Sequence, residues 1–253
     1  LTFTEIDKRS YALAVWLQQH SGLQQGDRIV IQLPNLIQYP IAAYGALRAG
    51  LVLVNTNPLY TAREMQHQFK DSGAKAIIIL ADLYPKLAEI QSETDIQQVI
   101  LTQATDLLSP AQKTQTPEGT HQLLDILNAS SNTPLAPREN QSLGDVCVLQ
   151  YTGGTTGVSK GAMLTNGNII SNAEQTSPRL GFDPEVGSEI FVCPLPLYHI
   201  YAFTVNMVML ACSGNMNILI PNPRDLDGFI NAIKPFKFTG FAGLNTLFIG
   251  LCS

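Results

Sequence analysis

Short β-branched runs alternate with helical patterns at close spacing, and a parallel sheet flanked by helices accommodates that rhythm. The chain opens on "TEIDKRSYALAVWLQQHSG", where Ile6, Leu13, Val15, Trp16 and Leu17 supply an apolar face and Gly22 stands at the expected stop. "DRIVIQL" reads as a strand, broken by Pro34 and Asn35, which open the helix "LIQYPIAAYGALRAG". "LVLVN" is the next strand, and Thr61 and Glu64 have capping-box spacing at the start of "TAREMQHQF". After Gly73, "KAIIIL" is apolar at every position past its lysine, as suits a strand buried on both faces. Helix "LYPKLAEIQ" and strand "IQQVIL" complete a first α/β subdomain over 1–101.

Thr102 to Gly144 interrupts the rhythm. It is rich in Gln, Thr, Ser, Asn and Pro, holds one helical pattern, "HQLLDILNA", and reads as an irregular surface connection between subdomains. A second α/β subdomain, 145–253, resumes with strand "DVCVLQY", a helix around "NIISNAEQ" and strand "SEIFVCPLPL". Tyr198 and His199 then open a helix through "YAFTVNMVMLACSG". Strand "MNILI", helix "DLDGFINAIK", strand "FTGFAG" and a last apolar helix follow. The chain begins inside a helix start and stops inside an apolar helical pattern, so a fragment truncated at its C-terminus is expected.

Between "DVCVLQY" and the next helix lies "TGGTTGVSKGAMLT". A nucleotide P-loop needs Gly-Lys followed by Ser or Thr. Here Val158 and Ser159 separate Gly157 from Lys160, and Gly161 follows the lysine. The dinucleotide fingerprint fails as well, because Gly153 and Gly154 are adjacent. The chemistry nevertheless suits phosphate. Gly153, Gly154 and Gly157 permit close backbone approach, and successive amides in such a turn form an anion-binding nest. Thr152, Thr155 and Thr156 add hydroxyls and Lys160 adds positive charge. The bland alternative is a polar turn between a strand and a helix.

Composition narrows the function classes. Charged residues are only 14% of the 253, against about 25% in an ordinary globular domain, while 45% are hydrophobic. Such a chain leaves surface for another domain, a partner or a membrane face to cover. The net charge of −5 argues against a nucleic-acid partner. The four cysteines form no C-x-x-C pair and are read as free buried thiols of a reducing compartment. With no leader-like segment and no apolar run of about 20 residues, a cytoplasmic protein is expected.

"YTGGTTGVSKGAMLT" closely resembles the phosphate-binding signature of the adenylate-forming superfamily, which includes acyl-CoA synthetases, luciferases and the adenylation domains of peptide synthetases. "PLPLYHIYAFTVN" resembles a second segment of that family, in which an aromatic–His pair lines the carboxylate and acyl pocket. "NPRDL" and "FTGFAGLNTLF" resemble the bacterial long-chain fatty-acid–CoA ligases in particular. The resemblance covers nearly the whole chain and is weakest over Thr102–Gly144. It implies an incomplete N-terminal domain of layered parallel sheets flanked by helices. It implies ATP and a fatty acid as substrates, joined as an acyl-adenylate and then passed to coenzyme A.

On the same basis the ATP phosphates fall to Tyr151, Thr152, Gly153, Gly154, Thr155, Thr156, Gly157, Lys160 and Gly161. Mg2+ would arrive with ATP near Thr155 or Thr156. Tyr198, His199, Phe203 and Asn245 fall to the acyl pocket, although core packing explains the apolar residues of that region and is the safer reading of them. His199 is the catalytic candidate, as an orienter of the substrate carboxylate. A carboxyl titrates near ~4, so there is no proton for a base to remove. The resemblance leaves peripheral contact with the inner membrane and homodimerisation of the parent as further expectations.

Other segments of the family pattern do not occur here. They are an aromatic-Gly-x-Thr-Glu segment, a Ser/Thr-Gly-Asp segment and the hinge to a small domain bearing the adenylation lysine. The parent therefore reads as a ligase, and this chain by itself as inactive. An aryl- or amino-acid-activating relative and a non-catalytic nucleotide- or acyl-binding module are the alternatives.

Overall fold

A computed structural model describes residues 1–108, 116–129, 133–138, 141–152, 159–180 and 187–252. The chain divides into two compact units, one of residues 1–33 and 37–166, the other of 34–36 and 167–253.

The first unit is built on α1 (Phe3–Gln19), β1 (Arg28–Gln32), α2 (Gln38–Arg48), β2 (Val52–Asn55), α3 (Ala62–Ser72) and β3 (Ala76–Leu80). It continues through α4 (Tyr84–Ala88), β4 (Gln98–Thr102), β5 (Thr120–Gln122), α5 (Leu123–Asn128), β6 (Val146–Thr152) and β7 (Lys160–Thr165). The strands form one sheet in the order β5-β4-β3-β1-β2-β6-β7. Every neighbouring pair is parallel except β6–β7, which is antiparallel.

The apolar runs become the central strands because both faces are covered. On one face Val30, Val54, Ile77, Ile79, Val99 and Leu101 pack with Met65 and Phe69 of α3 and Leu87 of α4. On the other, α2 lies on β1 and β2, and α5 lies on β4. α1 in turn packs on α2 and α5. The approach of α1 to α2 is close at Gly45, where a Cβ would sit 2.7 Å from Leu13 Cδ2. A side chain there would force the helices apart.

The second unit contains α6 (Asn166–Thr176), whose first residue still belongs to the first unit, and then β8 (Ile190–Cys193). α7 (Ile200–Ala202) runs into a π-helical stretch, Phe203–Met209, and on into α8 (Leu210–Cys212). β9 (Met216–Leu219), α9 (Leu226–Ile233), β10 (Gly240–Phe241) and α10 (Asn245–Cys252) complete it. Its strands form a parallel sheet in the order β10-β8-β9. Val192, Ile218, Ile220 and Phe229 are its buried centre.

Three features differ from the sequence expectation. The compact units divide inside the first turn of α6, not across Thr102–Gly144. That segment is partly built into the first unit: β5 extends the sheet, and Leu123, Ile126 and Leu127 of α5 are buried. Residues 133–138 are also strapped down. Leu135 N donates to Tyr11 Oη (3.2 Å), Ala136 N to Gln18 Oε1 (2.9 Å) and Arg138 Nη1 to Leu47 O (3.0 Å). Second, the glycine-rich segment leads into a strand before it reaches a helix. Third, Cys147 and Cys193 are buried thiols, but Cys212 and Cys252 are exposed.

Candidate active site

One candidate region is a hairpin in the first unit. Tyr151 and Thr152 end β6, and Lys160 and Gly161 begin β7. In the antiparallel register Tyr151 stands opposite Gly161 and Thr152 opposite Lys160. Four of the residues predicted to meet phosphate are thereby brought together. Gly153, Gly154, Thr155, Thr156 and Gly157, including the two threonines assigned to Mg2+, lie outside the described residues. Ser159 Oγ donates to Thr152 O (2.9 Å) and closes the neck of the hairpin.

Local packing explains Gly161. A Cβ at this position would lie 2.9 Å from the ring of Tyr151, so the aromatic ring occupies the space a side chain would take. The Tyr151 hydroxyl donates to Asp71 Oδ2 at 2.5 Å. Burial, and then the Asp71 carboxylate, push the phenol well above its ordinary pKa, so it stays protonated. Across the neck, His67 Nε2 lies 3.0 Å from Ser159 O. A carbonyl oxygen only accepts, so the hydrogen sits on Nε2.

A buried polar network supports the exit of β6. Tyr39 Oη donates to Asn55 Oδ1 (2.6 Å), Asn55 Nδ2 to Gln150 Oε1 (3.2 Å), Gln68 Nε2 to Asn55 O (3.1 Å) and Thr56 Oγ1 to Gln68 Oε1 (2.9 Å). All five residues are buried. Buried amides without partners would cost heavily, so this chain of bonds fixes the residue that precedes Tyr151.

A separate candidate region belongs to the second unit. His199 is the N-cap residue of α7, and its Nδ1 accepts from Tyr201 N at 3.4 Å. With Nδ1 accepting, the neutral ring carries its hydrogen on Nε2 and can donate to an anion. The ring is exposed, Tyr198 beside it is half-buried, and Phe203 one turn on is fully buried in the interior. Asn245 is exposed at the first position of α10.

Sequence reasoning missed Asn35. Its Nδ2 donates to Cys193 O (3.0 Å) and Leu195 O (2.8 Å), and its Oδ1 accepts from Leu197 N (2.8 Å). One buried side chain thus holds the "CPLPL" backbone that leads into Tyr198 and His199. The only sequence signal was an Asn directly after the strand-breaking Pro34. His67 and Asp71 were missed too; their spacing on one helix was visible, but what it faced was not.

Among the described residues no group of three or more His, Cys, Asp or Glu side chains is placed to hold a metal ion. Nor, among the described residues, is any helix long and apolar enough to cross a membrane.

A protein-family model described as AMP-binding enzyme matches residues 1–253. A long-chain-fatty-acid–CoA ligase from Salmonella typhimurium is 42% identical over 267 residues, covering 99% of this chain and 47% of that protein. Its counterpart from Haemophilus influenzae is 43% identical over 270 residues, covering 99% and 48%. The chain therefore spans about half the length of the curated relatives it matches. The crystal structure of a long-chain-fatty-acid-CoA ligase from Archaeoglobus fulgidus superimposes with a TM-score of 0.81 over 99% of this chain and 46% of that one, at 24% identity. At that identity the likeness speaks for the fold.

Proposed function

The chain belongs to the AMP-binding enzyme family, and from that premise we propose that it forms part of an ATP-dependent ligase that activates long-chain fatty acids and transfers them to coenzyme A. The observation that carries this reading is the β6–β7 hairpin, which sets Tyr151 and Thr152 opposite Gly161 and Lys160. The relatives described as long-chain-fatty-acid–CoA ligases support the choice of substrate.

In this reading the fatty-acid carboxylate attacks the α-phosphorus of ATP. A P–O bond to the β-phosphate breaks, pyrophosphate leaves with the electron pair, and an acyl-adenylate remains. The protein's work is positioning and charge stabilisation. Lys160 and the Thr152 hydroxyl meet the departing phosphates at the hairpin. A magnesium ion brought by the nucleotide would be held near Thr155 or Thr156 and would supply further neutralisation of that charge. His199 donates from Nε2 to the substrate carboxylate and fixes its direction; it removes no proton. The thiol of coenzyme A then displaces AMP from the acyl carbon, giving the thioester.

Fatty-acid-dependent exchange of pyrophosphate into ATP tests the reading, run on the full-length protein with a series of acyl lengths. Exchange that grows with chain length into the long-chain range is expected. Exchange driven by an aryl or amino acid instead would reassign the substrate, and no exchange with any acid would leave only a binding module. Lys160→Ala should raise the KM for MgATP more than that for the fatty acid.

A further inference from the structure

We infer that α3 is the brace of the β6–β7 hairpin, with His67 and Asp71 acting as positioning residues for nucleotide handling; the nucleotide part of this inference rests on the function proposed above. Residues four apart on a helix share a face. Here that face touches both sides of one hairpin. Asp71 accepts from Tyr151 on the outgoing strand, and His67 donates to Ser159 O just before the returning strand. Because the Tyr151 ring also covers Gly161, the Asp71 contact steadies the first pair of residues across the neck. A phenylalanine would cover Gly161 equally well. The hydroxyl at position 151 serves the bond to Asp71.

The helix is fit for the task. Its start is fixed by a reciprocal capping box, Thr61 with Glu64, and its end by Gly73 in the left-handed region (φ 58°). Met65, Gln68, Phe69 and Ser72 are buried, so the helix has little freedom to roll. A site held from a docked helix keeps its geometry better than one held from a loop. The two contacts reach the hairpin only at its neck, where Ser159 Oγ already bonds Thr152 O. Orientation of the neck decides where Thr152 and Lys160 point.

The test uses the full-length protein and the variants His67→Ala, His67→Gln and Tyr151→Phe. His67→Ala should raise the KM for MgATP about fivefold, the scale of one lost hydrogen bond. The KM for the fatty acid should stay within about twofold. Glutamine offers an amide donor at similar reach, so His67→Gln should recover most of the loss. Backbone amide hydrogen exchange at 159–161 should quicken in His67→Ala and Tyr151→Phe, while α9 is unchanged. Equal rises in both KM values, no rise for MgATP, or no rescue by glutamine would overturn the inference. So would unchanged exchange at 159–161. If the wild-type protein shows no acid-dependent pyrophosphate exchange, it is the proposed function that fails, and amide exchange alone then judges the brace.

Discussion

A single side chain can hold more of a site than the residues that would do its chemistry. Asn35 bonds three backbone groups of the segment leading to His199. Asn35→Ala should cost about 1–3 kcal/mol, since it leaves the Leu197 amide unpaired in a buried place, while Cys193 O keeps Ile220 N as a donor and Leu195 O keeps the Cys193 thiol. Denaturant unfolding measures this, and a loss below about 0.5 kcal/mol would show that water replaces the side chain. Gly161→Ala is the converse case. The added methyl must displace the Tyr151 ring, and about 1–3 kcal/mol of destabilisation is expected. Nothing in the sequence announced why Gly161 must be glycine. The reason is a ring ten residues earlier, brought opposite only by strand pairing.

Asp27 carries a pH prediction. Burial raises its pKa, but Lys75 Nζ at 2.8 Å and the Gln24 amide at 2.9 Å outweigh burial, and the net shift is downward. A lowered folded-state pKa means that stability is fully present above the unfolded value near ~3.9. It is lost as the pH falls through the folded value. Asp27→Asn should therefore destabilise the protein at pH 7 and flatten the fall in stability below about pH 4, read from urea midpoints at pH 7 and pH 3.

At the scale of elements, legibility followed the strength of the local signal. The α3 cap was readable because Thr61 and Glu64 bond each other's backbone across three residues, with no help from the rest of the fold. Thr61→Ala should lower stability by about 1 kcal/mol, visible as a shift in the urea midpoint. "KAIIIL" was readable because a strand covered on both faces needs apolar residues throughout. β5 and β7 were not. β5 is three residues long, all half-buried, at one edge of the sheet. β7 occupies the other edge, where Ala162 and Met163 are both exposed in succession, so no alternation marks it. The π-helical stretch was hidden for another reason: its apolar residues fit an α-helix as readily, and the bonding pattern is set by packing.

Over the whole molecule, the alternation of strand and helix gave the class of fold, while strand order depended on contacts distant in sequence. Placing β1 centrally, between β3 and β2, requires the chain to cross over after β2, and no local pattern encodes that. The low charge content also has a visible counterpart. Ile230, Leu244, Phe248 and Ile249 of the second unit are exposed, Ile249 to 69%, and α10 has no buried residue. Apolar surface of this kind promotes association. Ile249→Lys should reduce concentration-dependent self-association of this chain in sedimentation velocity; unchanged behaviour would show that the surface is not what associates. The pairing of β2 with β6 has a consequence in time. Asn55 and Gln150 bond across 95 residues, so a ribosome adding 5–20 residues per second needs about 5–20 s to deliver the second after the first. For that interval the nascent chain carries an apolar strand edge with nothing to zip onto. The passage from residue 55 to residue 150 is the period in which a chaperone would find this protein most in need of cover.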